Sequence, residues 1–249
     1  MTSVPPLVCV GHSHVRCVAR AAQARGVPLI AIDLWKQRDP IAGPDDRPGW
    51  LSATLARCGD GPVFSLIGGA FHHTLGLLVH PRPFDFVLPS APELPLDDVE
   101  IVPVDGVDAA LTALMEPYLK MMEALAQTAP GGVVHLEPPP VYADEGRLAL
   151  DSPALPIYQE YQAAHRHRVK VSSRYLRYKL WRLHSQILME FCHRHGIEFV
   201  PHPPMTADSQ GFLEEAYYLE PMHANDAYGD LVLCQMEERA AAAATTRHV

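Results

Sequence analysis

Short apolar runs recur along the chain, separated by longer segments in which apolar and polar positions mix. The runs lack strict alternation of apolar and polar residues, which is typical of strands that are covered on both faces of a sheet. They predict five strands, at Leu7–Gly11, Pro28–Leu34, Pro62–Gly68, Gly132–Glu137 and Glu198–Pro203.

Between the predicted strands, apolar residues repeat with the period of a helix. The pattern predicts helices over 14–25, 51–58, 71–79, 106–128, 175–195 and 225–244, and an Ala-rich tail at 240–249 that is expected to fray. Alternation of strands and helices favours a mostly parallel sheet with helices on both faces. We therefore expect a single domain over 1–249, an α/β fold with three layers (α/β/α) around a five-stranded sheet.

Two stretches interrupt this alternation. The segment 80–105 is rich in proline and is predicted to hold a small hairpin of Phe84–Leu88 and Val99–Val102. The segment 138–170 opens with three consecutive prolines and is predicted to be irregular. Both follow strand ends, so both could wall a pocket, or both could be surface loops stiffened by proline.

Composition narrows the class of protein. The chain has 249 residues and a formal net charge of −9, which argues against nucleic-acid binding. Its five cysteines form no CxxC pair, so we expect neither a disulfide framework nor a thiolate zinc site. We see no signal peptide and no membrane span, so the predicted location is cytoplasmic. The oligomeric state stays open.

Ser13 is the first candidate for chemistry. It follows the first predicted strand and precedes the first helix, within Gly11-His12-Ser13-His14. Such a turn holds the hydroxyl at the carboxyl edge of the sheet, where open α/β sheets bind their ligands, and the first N–H groups of the helix point there. The alternative is that Ser13 only caps the helix.

A serine hydroxyl needs a base, and His223 is the best candidate because it lies in a loop before the last helix. Glu220, three residues earlier, could accept the Nδ1–H and leave Nε2 facing the serine. Asn225 is predicted to cap the last helix. An oxyanion needs donors, and Gly68-Gly69 after the third strand could offer backbone N–H groups.

These segments, in this order, resemble the SGNH/GDSL hydrolase superfamily. The resemblance implies a flavodoxin-like sheet of order 2-1-3-4-5 and a serine-dependent ester hydrolase or acyltransferase without cofactor or metal. It implies an acyl-enzyme on Ser13, with His223 as general acid and base and Glu220 orienting it. The substrate would be a small-molecule or carbohydrate-linked acyl ester.

The chain departs from the family pattern at several positions. His12 stands in place of the aspartate of the first block, and Glu220 in place of the aspartate of the last. Ala70 occupies the position of the asparagine whose side chain donates to the oxyanion, and His72 or His73 could substitute for it. The glycine of the second block has no clear match, although Gly43 lies in the right region.

Other interpretations remain open. His12 and His14 are expected to line the pocket or to satisfy backbone groups. Paired histidines (72/73, 165/167 and 193/195) suggest a metal site, but the spacing is wrong for a shared helix face, so none is predicted. A basic cluster could clamp an anionic substrate or form a solvated face; it comprises Arg174, Arg177, Lys179 and Arg182. The rival functions are a non-catalytic SGNH-like binding domain and a flavodoxin-like nucleotide-binding domain.

Overall fold

The computed structural model describes residues 5–36, 48–165 and 170–246, so Gly43, His167 and the last three residues lie outside the described part. The strands are β1 Leu7–Gly11, β2 Leu29–Asp33, β3 Val63–Leu66, β4 Phe84–Asp85, β5 Glu100–Ile101, β6 Val133–Leu136, β7 Glu198–Val200, β8 Tyr218–Glu220 and β9 His223–Ala224. The helices are α1 Val15–Arg25, α2 Gly49–Cys58, α3 His72–Gly76, α4 Val104–Thr128, α5 Glu145–Asp151, α6 Pro156–His165, α7 Arg174–Arg194 and α8 Asp226–Thr246.

The central sheet has five parallel strands in the order β2-β1-β3-β6-β7. This confirms the predicted α/β fold and the flavodoxin-like order, because these are the five predicted strands counted along the chain. All five carboxyl ends meet at one edge of the sheet. The segments that follow β1, β3, β6 and β7 therefore share that edge.

Each face of the sheet is covered by helices, which explains why the strands show no alternation. Along β1, Val8 and Val10 pack into a core with α2, α4 and α7, while Cys9 packs into a second core with α1 and α8. The α1 and α8 layer is tight at Gly229, where a Cβ atom would lie 2.4 Å from the Cys17 carbonyl oxygen. This close approach brings the start of α8 against the start of α1.

The segment 80–105 does not form the predicted hairpin. Its two short strands, β4 and β5, pair in parallel, with Phe84 opposite Glu100. The chain between them loops back, and a buried ion pair fixes the ribbon to α7: Lys179 Nζ lies 2.5 Å from Asp85 Oδ1, and both side chains are fully buried. The hairpin prediction failed because a local pattern identifies strands but not their relative direction.

Three other local predictions need correction. The segment 138–170 was expected to be irregular, yet it holds α5, a 3-10 turn at Ser152–Ala154 and α6. The helix predicted over 71–79 is limited to α3, because Leu78 bridges to Val171 instead. The Ala-rich tail does not fray from residue 240, since α8 continues to Thr246. In the described part of the chain, no helix is long and apolar enough to cross a membrane.

Candidate active site

The turn between β1 and α1 presents the Ser13 hydroxyl to a cleft. The N-cap of α1 is His14, without a side-chain capping bond, and Ser13 Oγ makes no hydrogen bond to any described residue. The capping alternative for Ser13 is therefore wrong. Ser13 is half-buried and lines a cavity of about 620 Å³ that His223 also lines. The predicted nucleophile and the predicted base thus face the same space.

The hairpin of β8 and β9 fixes the orientation of His223. Glu220 and His223 are paired across this hairpin, and Glu220 Oε1 is hydrogen-bonded to Nδ1 of the imidazole. The other ring nitrogen, Nε2, is buried and has no hydrogen-bond partner among the described residues. A ring held in this way at Nδ1 carries its proton there and leaves Nε2 free to accept one.

Asn225 supports the hairpin and caps α8, as predicted. Its Oδ1 accepts from the N–H of Ala227 at 3.0 Å and from the N–H of Tyr228 at 3.2 Å. Its Nδ2 donates at 2.8 Å to the Ala216 carbonyl, just before the hairpin. One side chain therefore joins the start of α8 to the strand that carries Glu220.

His14 links the three segments of the site. Its ring centroid lies 5.4 Å from that of His223. On its other side, His14 Nδ1 lies only 3.0 Å from the position that a Cβ atom on Gly69 would take. A Cβ atom at residue 69 would press on the His14 ring, which would have to shift by a few tenths of an ångström, so the two residues are closely packed. Segments that follow β1 and β3 and precede α8 thereby meet in one crevice.

The two glycines after β3 differ in what they offer. Gly68 has a φ of +81°, its N–H donates to His12 Nδ1 at 3.3 Å, and its carbonyl accepts from His184 Nε2 at 2.8 Å. The Gly68 amide is therefore occupied and is not a free oxyanion donor. The N–H groups of Gly69 and Ser13 make no hydrogen bond to described residues, and they are the available donors.

The position expected to carry an amide donor is apolar. Ala70 lines the cleft and brings only a methyl group. His73 lies in a narrow pocket beside Glu220, and its Nδ1 has no partner among the described residues. His72 is more deeply buried, with its ring 5.1 Å from that of His184 and neither nitrogen partnered among the described residues. Both histidines line the narrow pocket beside Glu220, and neither lines the cavity that Ser13 and Ala70 share.

The histidines behind the cleft are neutral at pH 7. Burial lowers the pKa of His12 and of His184 to about 4 and that of His14 to about 3. Burial likewise lowers the pKa of His72 and of His73 well below the usual value. A neutral imidazole next to the cleft can donate a hydrogen bond without bringing a positive charge.

The wall of the cleft combines aromatic and aliphatic side chains. Trp35, after β2, packs on His12 with ring centroids 5.1 Å apart, and Phe71 packs on Tyr118 at 4.2 Å. The segment 138–170 contributes Leu155 from the turn before α6. The segment 80–105 contributes nothing to this cleft, so only the segment 138–170 forms part of its wall.

The basic cluster on α7 does not serve a ligand as a group. Arg177 is buried and donates to the carbonyls of Ser172, Tyr142 and Ala143. Lys179 is buried in its ion pair. Arg177 and Lys179 are therefore neither on a solvated face nor open to substrate, which corrects both predictions for them. Through these contacts, Arg177 holds the segment 138–170 against α7, and Lys179 holds the segment 80–105 against it.

Sequence reasoning missed residues that complete the site. His184 supports the Gly68 carbonyl, and its position between Leu180 and Leu188 on the apolar face of α7 was a usable signal. Trp35 was also detectable, because it lies two residues after β2 at the ligand-binding edge. For metals, no group of three or more His, Cys, Asp or Glu side chains within 5–36, 48–165 and 170–246 could hold an ion.

Known proteins match the chain by structure. No family model matches it, and neither does any curated sequence. A GDSL-like lipase from Bacteroides thetaiotaomicron is 11% identical at a TM-score of 0.46, over 98% of this chain and 92% of the lipase. A variant acetyl-xylooligosaccharide esterase from Geobacillus is 12% identical at 0.40, over 96% and 95%. The periplasmic domain of a Salmonella lipopolysaccharide acetyltransferase is 8% identical at 0.43, over 94% and 83%.

At these identities and TM-scores, the matches say nothing about substrate or residue roles. The chain's own strand order β2-β1-β3-β6-β7 agrees with the order 2-1-3-4-5. Its serine follows the first strand of the sheet, its glycines follow the third, and its carboxylate-histidine pair precedes the last helix. In fold and in the order of these segments, the protein resembles the SGNH/GDSL hydrolases.

Proposed function

We propose that the protein is a serine-dependent ester hydrolase or acyltransferase of the SGNH type. The observation that carries the proposal is the state of His223: Glu220 holds Nδ1, while Nε2 is unpartnered beside a cavity that Ser13 also lines. An imidazole fixed in this way can act as a general base, because Nε2 can accept a proton. The Ser13 hydroxyl lines the same cavity and also has no hydrogen-bond partner among the described residues, so it is the donor that we assign to this base.

The chemistry proceeds in two transfers. Ser13 Oγ attacks the acyl carbonyl while His223 Nε2 takes its proton, and Glu220 stabilises the imidazolium. The N–H groups of Ser13 and Gly69 receive the oxyanion of the tetrahedral intermediate. The leaving alkoxide then takes the proton from His223, and an acyl-enzyme remains on Ser13. Water or an acceptor hydroxyl, deprotonated by His223, attacks this ester, and His223 then gives the proton to the departing Ser13 Oγ, which restores the free serine.

The substrate class follows from the cleft. Its volume of about 620 Å³ and its largely apolar lining suit a small acyl ester, whose alcohol part would be a small molecule or a carbohydrate. No step needs a cofactor or a metal ion. The oxyanion site would rely on the backbone N–H groups of Ser13 and Gly69.

Ala70 supports a second candidate, a non-catalytic binding domain that uses the same cleft. Removing one oxyanion donor from an enzyme of this kind typically costs about 10²–10³ in rate. An ancestor that lost this donor could retain substrate binding and lose turnover. The two candidates differ in whether Ser13 is nucleophilic, and this can be measured directly.

The test combines a fluorophosphonate probe with p-nitrophenyl acetate turnover. We expect the wild-type protein to be labelled and to turn over the ester, and Ser13→Ala to do neither. The matched control is Ser209→Ala, which removes an exposed loop hydroxyl and should retain both signals. Labelling that persists in Ser13→Ala, or a wild-type protein that is never labelled, would refute the enzymatic proposal.

A further inference from the structure

A second cavity lies at the other end of the same sheet edge. Its volume is about 490 Å³, and it is bounded by Glu137 after β6, by His202 after β7 and by one face of α7. It shares no lining residue with the Ser13 cleft. Because ligands of open α/β sheets bind outside the carboxyl ends of the strands, this position is suited to binding.

A carboxylate fixes the imidazole in this cavity. Glu137 Oε2 lies 2.6 Å from His202 Nδ1 and also accepts the His202 backbone N–H at 2.8 Å, while Ser185 donates to Oε1. Burial by itself raises the pKa of Glu137, but the hydrogen bonds from His202 and Ser185 outweigh it and lower the pKa. The proton on Nδ1 leaves Nε2 as an acceptor, and Nε2 has no partner among the described residues.

The opposite wall offers a cation and an unused donor. Arg182 has no acidic partner in the described part of the chain; its guanidinium donates to the Tyr178 hydroxyl at 3.2 Å and lies 5.9 Å from the centroid of the same ring. Trp181 is 3% exposed, and its indole Nε1 is buried without a hydrogen-bond partner. A buried donor without a partner is costly, so its presence in a cavity wall indicates a ligand or water that satisfies it.

We propose that this cavity binds a small hydroxy acid with a flat apolar body. Arg182 and the Trp181 indole N–H would take the carboxylate, His202 Nε2 would accept the hydroxyl hydrogen, and the ring of Phe199 would cover the body. Glu137 keeps its negative charge in this cavity, so the ligand carboxylate would lie on the Arg182 side, while the three donors on the Glu137 oxygens hold that side chain in place. The site is separate from the proposed acyl-transfer chemistry and does not depend on it.

The probe is mandelate, with two analogues that each remove one feature. Phenylacetate lacks the hydroxyl group, and mandelamide lacks the charge. We expect calorimetry to show mandelate binding at least about tenfold tighter than mandelamide and several-fold tighter than phenylacetate. The Trp181 indole N–H signal, assigned by Trp181→Phe, should shift in the NMR spectrum during the titration.

Two variants test the assigned contacts. Arg182→Gln should abolish the preference for mandelate over mandelamide, and His202→Phe should abolish the preference over phenylacetate. Arg194→Gln, on the same helix but outside this cavity, should leave both preferences unchanged. Arg182→Lys retains the charge and should bind with intermediate affinity, which distinguishes a lost contact from a folding defect.

The outcome is distinguishable from that of the esterase test. Mandelate binding should persist in Ser13→Ala, because that residue lines the other cleft. The proposal is overturned if mandelate does not bind at millimolar concentration, if the three probes bind equally well, or if Arg182→Gln leaves the charge preference intact.

Discussion

Glu220→Gln is the most informative single change at the candidate active site. In the wild-type protein, the carboxylate holds Nδ1 of His223 and leaves Nε2 unpartnered. A glutamine has nearly the same shape but no charge, and its NH₂ group can donate to Nδ1. The imidazole proton would then move to Nε2, where it would prevent the ring from taking the Ser13 proton.

The size of the effect depends on solvent access. In serine proteases, the equivalent change at a buried aspartate lowers kcat about 10⁴-fold. Here the side chains of Glu220 and His223 are 29% and 26% exposed, so water can replace part of the lost stabilisation. We expect kcat/KM for p-nitrophenyl acetate to fall about 10²–10³-fold, which corresponds to about 2.7–4 kcal/mol in the activation free energy.

The assay measures kcat/KM together with the rate of fluorophosphonate labelling, because both need an activated Ser13. Glu214→Gln is the matched control, since this exposed residue lies outside the site and should retain full activity. A loss smaller than about threefold in Glu220→Gln, in a protein that folds normally, would refute the orienting role of the carboxylate.

Three further changes test the fold and the setting of the site. Lys179→Met leaves the buried Asp85 carboxylate without its partner and should lower the free energy of unfolding in urea by about 3–5 kcal/mol. The control Lys120→Met removes an exposed ion pair and should change this free energy by less than about 0.5 kcal/mol. Equal effects of the two changes would contradict the burial of the Lys179–Asp85 pair. Asn225→Ala should cost about 1 kcal/mol through loss of the cap, and it should also lower kcat/KM because the hairpin carrying His223 loosens; Asn225→Asp should restore stability only. Finally, burial lowers the pKa of several histidines to about 3 or 4 from an unfolded value of 6.5, so the unfolded chain binds more protons below that pH. The free energy of unfolding should therefore fall from pH 6.5 to pH 4, by up to about 1.4 kcal/mol per pH unit for each group. A flat profile would contradict the burial of His12, His14 and His184, and of His135, which lies fully buried in β6.

Local pattern predicted the elements of the central sheet well. The five strands and the long helices α4 and α7 lie within a few residues of their predicted bounds, because an apolar period reports how a segment is buried. The order of Ser13, the glycines and the Glu220–His223 pair could also be read directly. Glu220 and His223 are three residues apart, so a single tight hairpin is enough to bring them together.

The sequence could not reveal which polar groups satisfy one another across the fold. Gly68 looked like a free donor, but His12 occupies its N–H from a segment 56 positions away in the chain. Arg177 and Lys179 looked like surface charges, but both are buried, Arg177 by contacts with the segment 138–170 and Lys179 by its ion pair with the segment 80–105. The local sequence around a charged helix residue is the same whether water or a polar group from a distant segment solvates the charge.

The sequence by itself determined the layered α/β fold, the turn that exposes Ser13 and the pairing of Glu220 with His223. Only the tertiary structure decided that β4 and β5 run in parallel, that His14 joins the three site segments and that Glu137 and His202 share a second cavity. The physical reason is the separation along the chain between the residues that interact. Secondary structure and short-range pairs follow from backbone geometry and local burial, whereas contacts between strand ends depend on how the whole core packs.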